Sequence, residues 1–193
     1  FTLLADYNKM DMLDKVNIAD SSIVYINFEN DTDKLVHVLN LKKKYTNLKY
    51  IVTLDNTNLK ETFLSAGVTY TVSKNEITSK LLASYIFEPD VARYSEDILS
   101  FAEHEDDFDI KEFRITKENR YKGKKYGDTF FQLKENADVI LIGLARIEAG
   151  IRVLMKNPPN ETIVEEQDYL IMIMNGAASL KIEQIFHTEE GGY

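Results

Sequence analysis

The sequence contains no cysteine, which excludes disulfides, thiolate-ligated metals and cysteine nucleophilic catalysis. No apolar run approaches the ~18–20 residues that a membrane-spanning helix requires. The first residues carry no basic segment of the kind that opens a secretory leader, so a cytoplasmic domain without direct membrane insertion is expected. Positive charge is also scarce. Lys and Arg number 23 against 32 Asp and Glu, for a net charge of −9. Broad nucleic-acid binding needs cations that displace counterions from phosphate, and no nucleic acid is expected as a partner. Glycine is sparse, and the first is Gly67. The strand–helix alternation that opens the chain therefore lacks the Gly-x-Gly-x-x-Gly turn that brings backbone N–H groups onto a phosphate. Either the fold never bound a dinucleotide in the usual way, or this polypeptide is the remainder of a longer, N-terminally truncated one. The second reading is preferred.

What is present is an alternation of periods over the first ninety residues. Phe1 to Ala5 reads as a strand with Asp6 at its end, and Lys9 to Val16 as a short helix. Ser22 to Phe28 is rich in β-branched and aromatic residues, the mark of a buried strand. Asn30, Asp31 and Thr32 offer caps for a helix carrying Leu35, Val38, Leu39 and Leu41 on its apolar face. Leu48 to Leu54 is the next strand, Leu59 to Ala66 a helix stopped by Gly67, and Val68 to Val72 a short strand. Strands separated by helices of about ten residues imply βαβ units and a parallel sheet.

The rhythm then changes. Ile77 to Ile86 is helical with Leu81, Leu82, Tyr85 and Ile86 on one face. Pro89 interrupts it, and Val91 to Phe101 resumes with Tyr94, Ile98 and Phe101 aligned. A proline between two helical stretches makes an elbow. Its apolar residues exceed what a connector needs, so it is either an arm that packs on a partner subunit or a cover for its own sheet. An acidic stretch follows, Glu103-His104-Glu105-Asp106-Asp107 and Asp109. Ile110 to Ile115, Ala137 to Ala145, Ile151 to Met155 and Tyr169 to Met174 read as strands. Lys124 to Leu133 and Ser179 to Phe186 read as helices, which together imply a compact α+β module.

The runs Phe113-Arg-Ile115, Tyr121-Lys-Gly-Lys-Lys-Tyr-Gly-Asp128 and Ala137-Asp-Val-Ile-Leu-Ile-Gly-Leu-Ala-Arg146 resemble the C-terminal lobe of RCK (regulator of K+ conductance) domains, also called TrkA-C. So does Asn157-Pro-Pro-Asn-Glu-Thr-Ile-Val-Glu-Glu-Gln-Asp168 leading into Tyr169-Leu-Ile-Met-Ile173. One departure is Gln167, where the family usually has glycine. Leu4-Ala-Asp6, Met12 to Asp20 and Ser22-Ile-Val-Tyr25 resemble the second half of the Rossmann-like TrkA-N lobe, and Leu64-Ser-Ala-Gly-Val68 and Val72-Ser73 its last helix-to-strand passage. The resemblance implies an α/β fold in three parts. These are a partial Rossmann-like parallel sheet over residues 1–76, a helical dimerisation elbow with its acidic linker over 77–107, and a small α+β TrkA-C-like lobe over 108–187, before a tail at 188–193.

The resemblance further implies a homodimer, assembled into a higher-order ring in the full-length protein and coupled to a membrane pore. A ligand-dependent change of lobe or dimer geometry would then control K+ flux. The alternative is a nucleotide-binding regulatory subunit of a Trk/Ktr-type potassium transporter, which acts as a detachable partner. Ca²⁺ or another divalent cation takes six to eight oxygen ligands, for which Glu88, Asp90, Glu103, Glu105, Asp106 and Asp107 are the candidates. A nucleotide in the full-length protein would meet Asp6, Asn27, Glu29 and Asn30, at the carboxyl ends of parallel strands where open α/β sheets bind ligands. Arg146 and Arg152 could meet an anion, although a strand-edge charge is the preferred reading. No Ser-His-Asp or His-Glu-x-x-His arrangement accompanies His37, His104 or His187, and no catalysis is expected.

Overall fold

The computed structural model describes residues 10–20, 23–100 and 104–191. The expected strand Phe1 to Ala5 lies outside them. The fold is α/β, with a three-stranded parallel sheet and a four-stranded antiparallel sheet. The chain divides into two compact units, residues 1–88 and 89–193.

The first unit runs α1 (Met10–Asp14), β1 (Ile23–Ile26), α2 (Asp31–Lys44), β2 (Lys49–Leu54), α3 (Lys60–Ser65), β3 (Tyr70–Ser73) and α4 (Lys74–Phe87). Its strands pair in parallel in the order β1-β2-β3. The Asn30 side chain caps α2 by accepting from the backbone N–H groups of Thr32 and Asp33, at 2.8 and 3.2 Å. These are donors the helix cannot satisfy itself. Gly67 holds φ at +86° just beyond α3, a backbone region that costs an L-residue energy because of its Cβ. Val38, Leu41, Tyr50, Val52, Leu54 and Phe63 form the core between α2, α3 and one face of the sheet.

Helix α2 differs from the expected pattern at two residues. Leu39 is exposed and Lys34 is buried. Lys34, Val38 and Leu41 are spaced by four and three residues and share one face, whereas Leu39 is turned about 100° from Val38. The lysine tolerates burial because its ammonium meets Asp31 at 2.7 Å and Asp55 at 3.5 Å.

The second unit runs α5 (Pro89–Leu99), β4 (Phe108–Arg114), α6 (Tyr126–Ala137), β5 (Ile140–Glu148), β6 (Ile151–Lys156), β7 (Tyr169–Asn175) and α7 (Gly176–Phe186). All its strand pairs are antiparallel, in the order β4-β7-β5-β6. Phe113, Tyr121, Leu133, Leu144, Leu170, Met172 and Phe186 are buried in its core. The Phe113 and Phe186 rings meet edge-on, 5.8 Å between centroids. Helix α6 begins two residues later than expected, because the N–H groups of Tyr126 and Gly127 donate to the carbonyls of Thr162 and Asn160. It ends at Asp138, whose φ of +55° turns the chain into β5.

Candidate functional site

Three places were singled out in the sequence: the carboxyl edge of the parallel sheet, the acidic segment around 103–107, and the arginines of the antiparallel lobe.

At the carboxyl edge the polar groups bond one another. Asp31, in the first turn of α2, accepts from the backbone N–H of Asn56 at 2.8 Å and of Asp55 at 3.1 Å, as well as from Lys34. Burial pushes the Asp31 carboxyl up, but the hydrogen bonds from Lys34, Asn56 and Asp55 outweigh it and hold its pKa below the ordinary value. Asn75 donates through Nδ2 to the Asp55 carbonyl at 2.9 Å, and the Thr57 and Ser73 hydroxyls lie 2.9 Å apart. The loop after β2 is thus tied to both α2 and the β3–α4 junction. Of the candidate nucleotide residues, Asn30 is the α2 cap, and Asn27 accepts from the Thr53 hydroxyl at 2.7 Å. Glu29 is exposed, and Asp6 lies outside the described residues.

The candidate cation ligands are dispersed over several elements. Glu88 is exposed at the end of α4, where its N–H donates to the Ser84 carbonyl, and Asp90 is exposed in the first turn of α5. Asp107 accepts from the His104 backbone N–H at 2.9 Å and closes a tight turn, while Glu105 and Asp106 are exposed on it. Glu103 lies outside the described residues. Asp106 and Asp107 share with Asp97, Tyr94, Ile98 and Phe108 the wall of a hollow of about 520 Å³ within the second unit. Among the described residues, no three of His, Asp and Glu come together as metal ligands.

The two arginines have protein partners. Arg146 donates from Nε and Nη2 to the buried Asp168 carboxylate, at 2.8 and 2.7 Å. It also reaches Glu165 and the Ile163 carbonyl. The Asp168 hydrogen bonds raise the Arg146 pKa above its ordinary value. A bidentate arginine–carboxylate pair fixes orientation as well as charge, and this one clamps the 163–168 segment onto β5. Arg152 pairs with Glu112 at 2.6 Å and lies 4.1 Å over the Tyr169 ring. The acid at position 168 stood in the sequence as part of a motif, but its partner on β5 became visible only from the strand order.

Helix α4 stands out by its lack of packing. None of its residues is buried, and Ile77, Leu82, Ile86 and Phe87 are all exposed. A helix with apolar residues around so much of its circumference normally lies in a core or against a partner. In α5, Ala92 is buried while Tyr94 remains exposed. Among the described residues no helix is long and apolar enough to cross a membrane.

No family model and no curated protein matches the sequence. Solved structures do. The human SLO3 gating ring matches 96% of this chain at 12% identity and a TM-score of 0.74. The GsuK RCK domain matches 97% at 16% identity and a TM-score of 0.44. The C domain of the KtrA regulator of conductance of K+, solved in complex with cyclic diadenosine monophosphate, matches 50% at 20% identity and a TM-score of 0.36. The chain spans 38% of the SLO3 and GsuK chains that it matches. With its parallel sheet followed by an antiparallel lobe, superposed along almost its whole length on the SLO3 gating ring, the chain has the fold of an RCK domain.

Proposed function

We propose that this chain is a regulatory module of a K+ channel or transporter, which pairs with a second copy through α4 and biases the pore by a ligand-dependent change of geometry. The observation that carries the reading is α4, a 14-residue apolar helix with no buried residue. An isolated helix of that length is marginal in water, so α4 calls for a partner. The RCK fold supports the regulatory role, and the likeness to a gating ring supports placement at the cytosolic side of a pore. A ligand moves such an equilibrium only through its differential affinity for the two states. Shifting it from 1:99 to 99:1 takes about 5.5 kcal/mol, which several copies in one ring would share.

The ligand proposed is a divalent cation held by carboxylates of the linker, Glu103, Glu105, Asp106 and Asp107, with Glu88 and Asp90 as further candidates. The test is a calorimetric Ca²⁺ titration of the chain, repeated after those four linker acids are changed to Asn or Gln. Saturable binding that disappears in the variant supports cation sensing and locates it. No heat from the unaltered chain removes the cation and leaves a nucleotide, bound by the full-length protein, as the ligand to titrate next. The regulatory role is tested separately. K+ uptake by cells expressing the full-length protein should change when Leu82 and Ile86 are replaced by Arg, and unchanged uptake would refute a role for α4.

A further inference from the structure

Asn175 and Gly176 join β7 to α7, and each has its own structural reason to be there. The Asn175 side chain accepts from the Ala178 N–H at 2.9 Å and caps α7, which satisfies a donor the helix cannot pair itself. Gly176 lies against the 104–107 turn. Its N–H donates to the Glu105 carbonyl at 2.9 Å, and a Cβ there would meet the Glu105 backbone at 3.1 Å. Asn-Gly commonly marks a hairpin turn. Here it opens a helix, where glycine is a poor former, so the close approach to Glu105 is what calls for it.

Together the two residues carry a chemistry that neither has alone. The Gly176 nitrogen can lose its proton to hydroxide and attack the side-chain carbonyl carbon of Asn175. A new C–N bond closes a five-membered succinimide, and the side-chain nitrogen leaves as ammonia. Water then adds to either ring carbonyl and opens it to aspartate or isoaspartate. Overall, one asparagine and one water give one acid and one ammonia. Glycine has no side chain to hinder the attack, and both residues are half-buried, so water reaches the joint.

The folded geometry holds this reaction back. At Asn175 ψ is 175°, an extended backbone in which the Gly176 nitrogen is turned away from the asparagine side chain. Ring closure needs rotation about that bond, which breaks the hydrogen bond to Glu105 and disturbs the cap. Strand β7 and helix α7 are anchored in the core through Met174, Ala178 and Ile182. The turn is held less firmly: His104, Glu105 and Asp106 are exposed, and Asp107 closes it by accepting from the His104 N–H at 2.9 Å. Exposed backbone hydrogen bonds with little buried contact open first.

We propose that Asn175 is a site of spontaneous deamidation latched by the 104–107 turn, so that lifting the turn is recorded as a lasting chemical change in the lobe. Aspartate at this position still caps α7 and adds negative charge at its N-terminus. Isoaspartate lengthens the main chain by one methylene between β7 and α7 and draws Ile182 and Phe186 from their places in the core.

Mass spectrometry of the peptide between Lys156 and Lys181, after incubation of the whole chain in mildly alkaline buffer, reads the conversion. That peptide also holds Asn157 and Asn160, so N175S, which keeps a capping oxygen, assigns the signal by abolishing it. The chain in urea is expected to convert fastest and the folded chain far more slowly. D107A should convert about 10-fold faster than the unaltered folded chain, the shift from losing one hydrogen bond to a charged acceptor, with far-UV circular dichroism unchanged. A signal that survives N175S, no conversion in urea, equal folded and unfolded rates, or a D107A rate equal to the unaltered one each overturns the proposal. Where D107A fails to fold, the urea dependence of the unaltered chain decides. Opening of the turn alone exposes little surface, so the rate should rise only weakly below the unfolding transition. A rate that climbs with the full slope of global unfolding overturns the latch.

Discussion

Gln167 holds φ at +71°, in the left-handed region that costs an L-residue roughly 1–2 kcal/mol. Its N–H donates to the Ile115 carbonyl at 2.8 Å, so the conformation is required to bring Asp168 beneath Arg146. The departure from the family's glycine therefore falls where glycine has a physical reason to be. Gln167→Gly is expected to raise the urea midpoint by about 0.5–1 kcal/mol of stability, and an unchanged or lowered midpoint would show that the side chain compensates. Asp31 makes a prediction of pH dependence. Its folded pKa is depressed, so its contribution is fully present above the unfolded value of about 3.9 and is lost as pH falls through the folded one. Asp31→Asn should accordingly flatten the fall in stability below about pH 4, as read from urea midpoints between pH 3 and 7. An unaltered acid limb would place that sensitivity on other carboxylates.

At the scale of elements, helix ends and their neighbours set the geometry. Helix α7 opens with Gly176, whose N–H donates to the Glu105 carbonyl at 2.9 Å, beside the Asn175 side chain that caps Ala178. A Cβ on Gly176 would lie 3.1 Å from the Glu105 Cα and 3.2 Å from its carbonyl oxygen. Both atoms belong to the backbone, which cannot swing aside as a side chain would. Gly176→Val is thus expected to displace the 104–107 turn and cost about 1–3 kcal/mol. Thermal melts and amide exchange at His104 to Asp107 would record it, and native protection there would contradict the contact. Helix α4 carries the opposite lesson. Its boundaries follow from Ser73 as cap and Pro89 as successor, but its apolar composition did not foretell that none of its residues is buried.

For the whole molecule, the two cores share no residue: one is built from residues 18–68 and the other from 113–186. Each closes within a unit large enough to bury a core of its own. A fragment of residues 89–193 should fold cooperatively and melt with one of two transitions of the full chain. A fragment without near-native circular dichroism would mean that folding couples the units. Much of this organisation was legible in the sequence. The βα alternation up to Ser73, the helix break at Pro89 and the strands of the second lobe all rest on local periodicity and local stop signals. The sites were less legible, because they depend on partners distant in the chain. Asp31 meets Asn56, Arg146 meets Asp168, and Glu105 meets Gly176. Nothing in residue spacing marks those pairs.

The sequence by itself determined the α/β class and the change from βα alternation to an α+β module, since hydrophobic period and caps are properties of adjacent residues, and its quoted motifs carried the resemblance to RCK lobes. The tertiary structure alone decided which charges are internal clasps, why Lys34 rather than Leu39 is buried, and that Ile77, Leu82, Ile86 and Phe87 of α4 are exposed. Burial and pairing are set by strand order and by what packs against each face, and those are fixed only when distant segments meet.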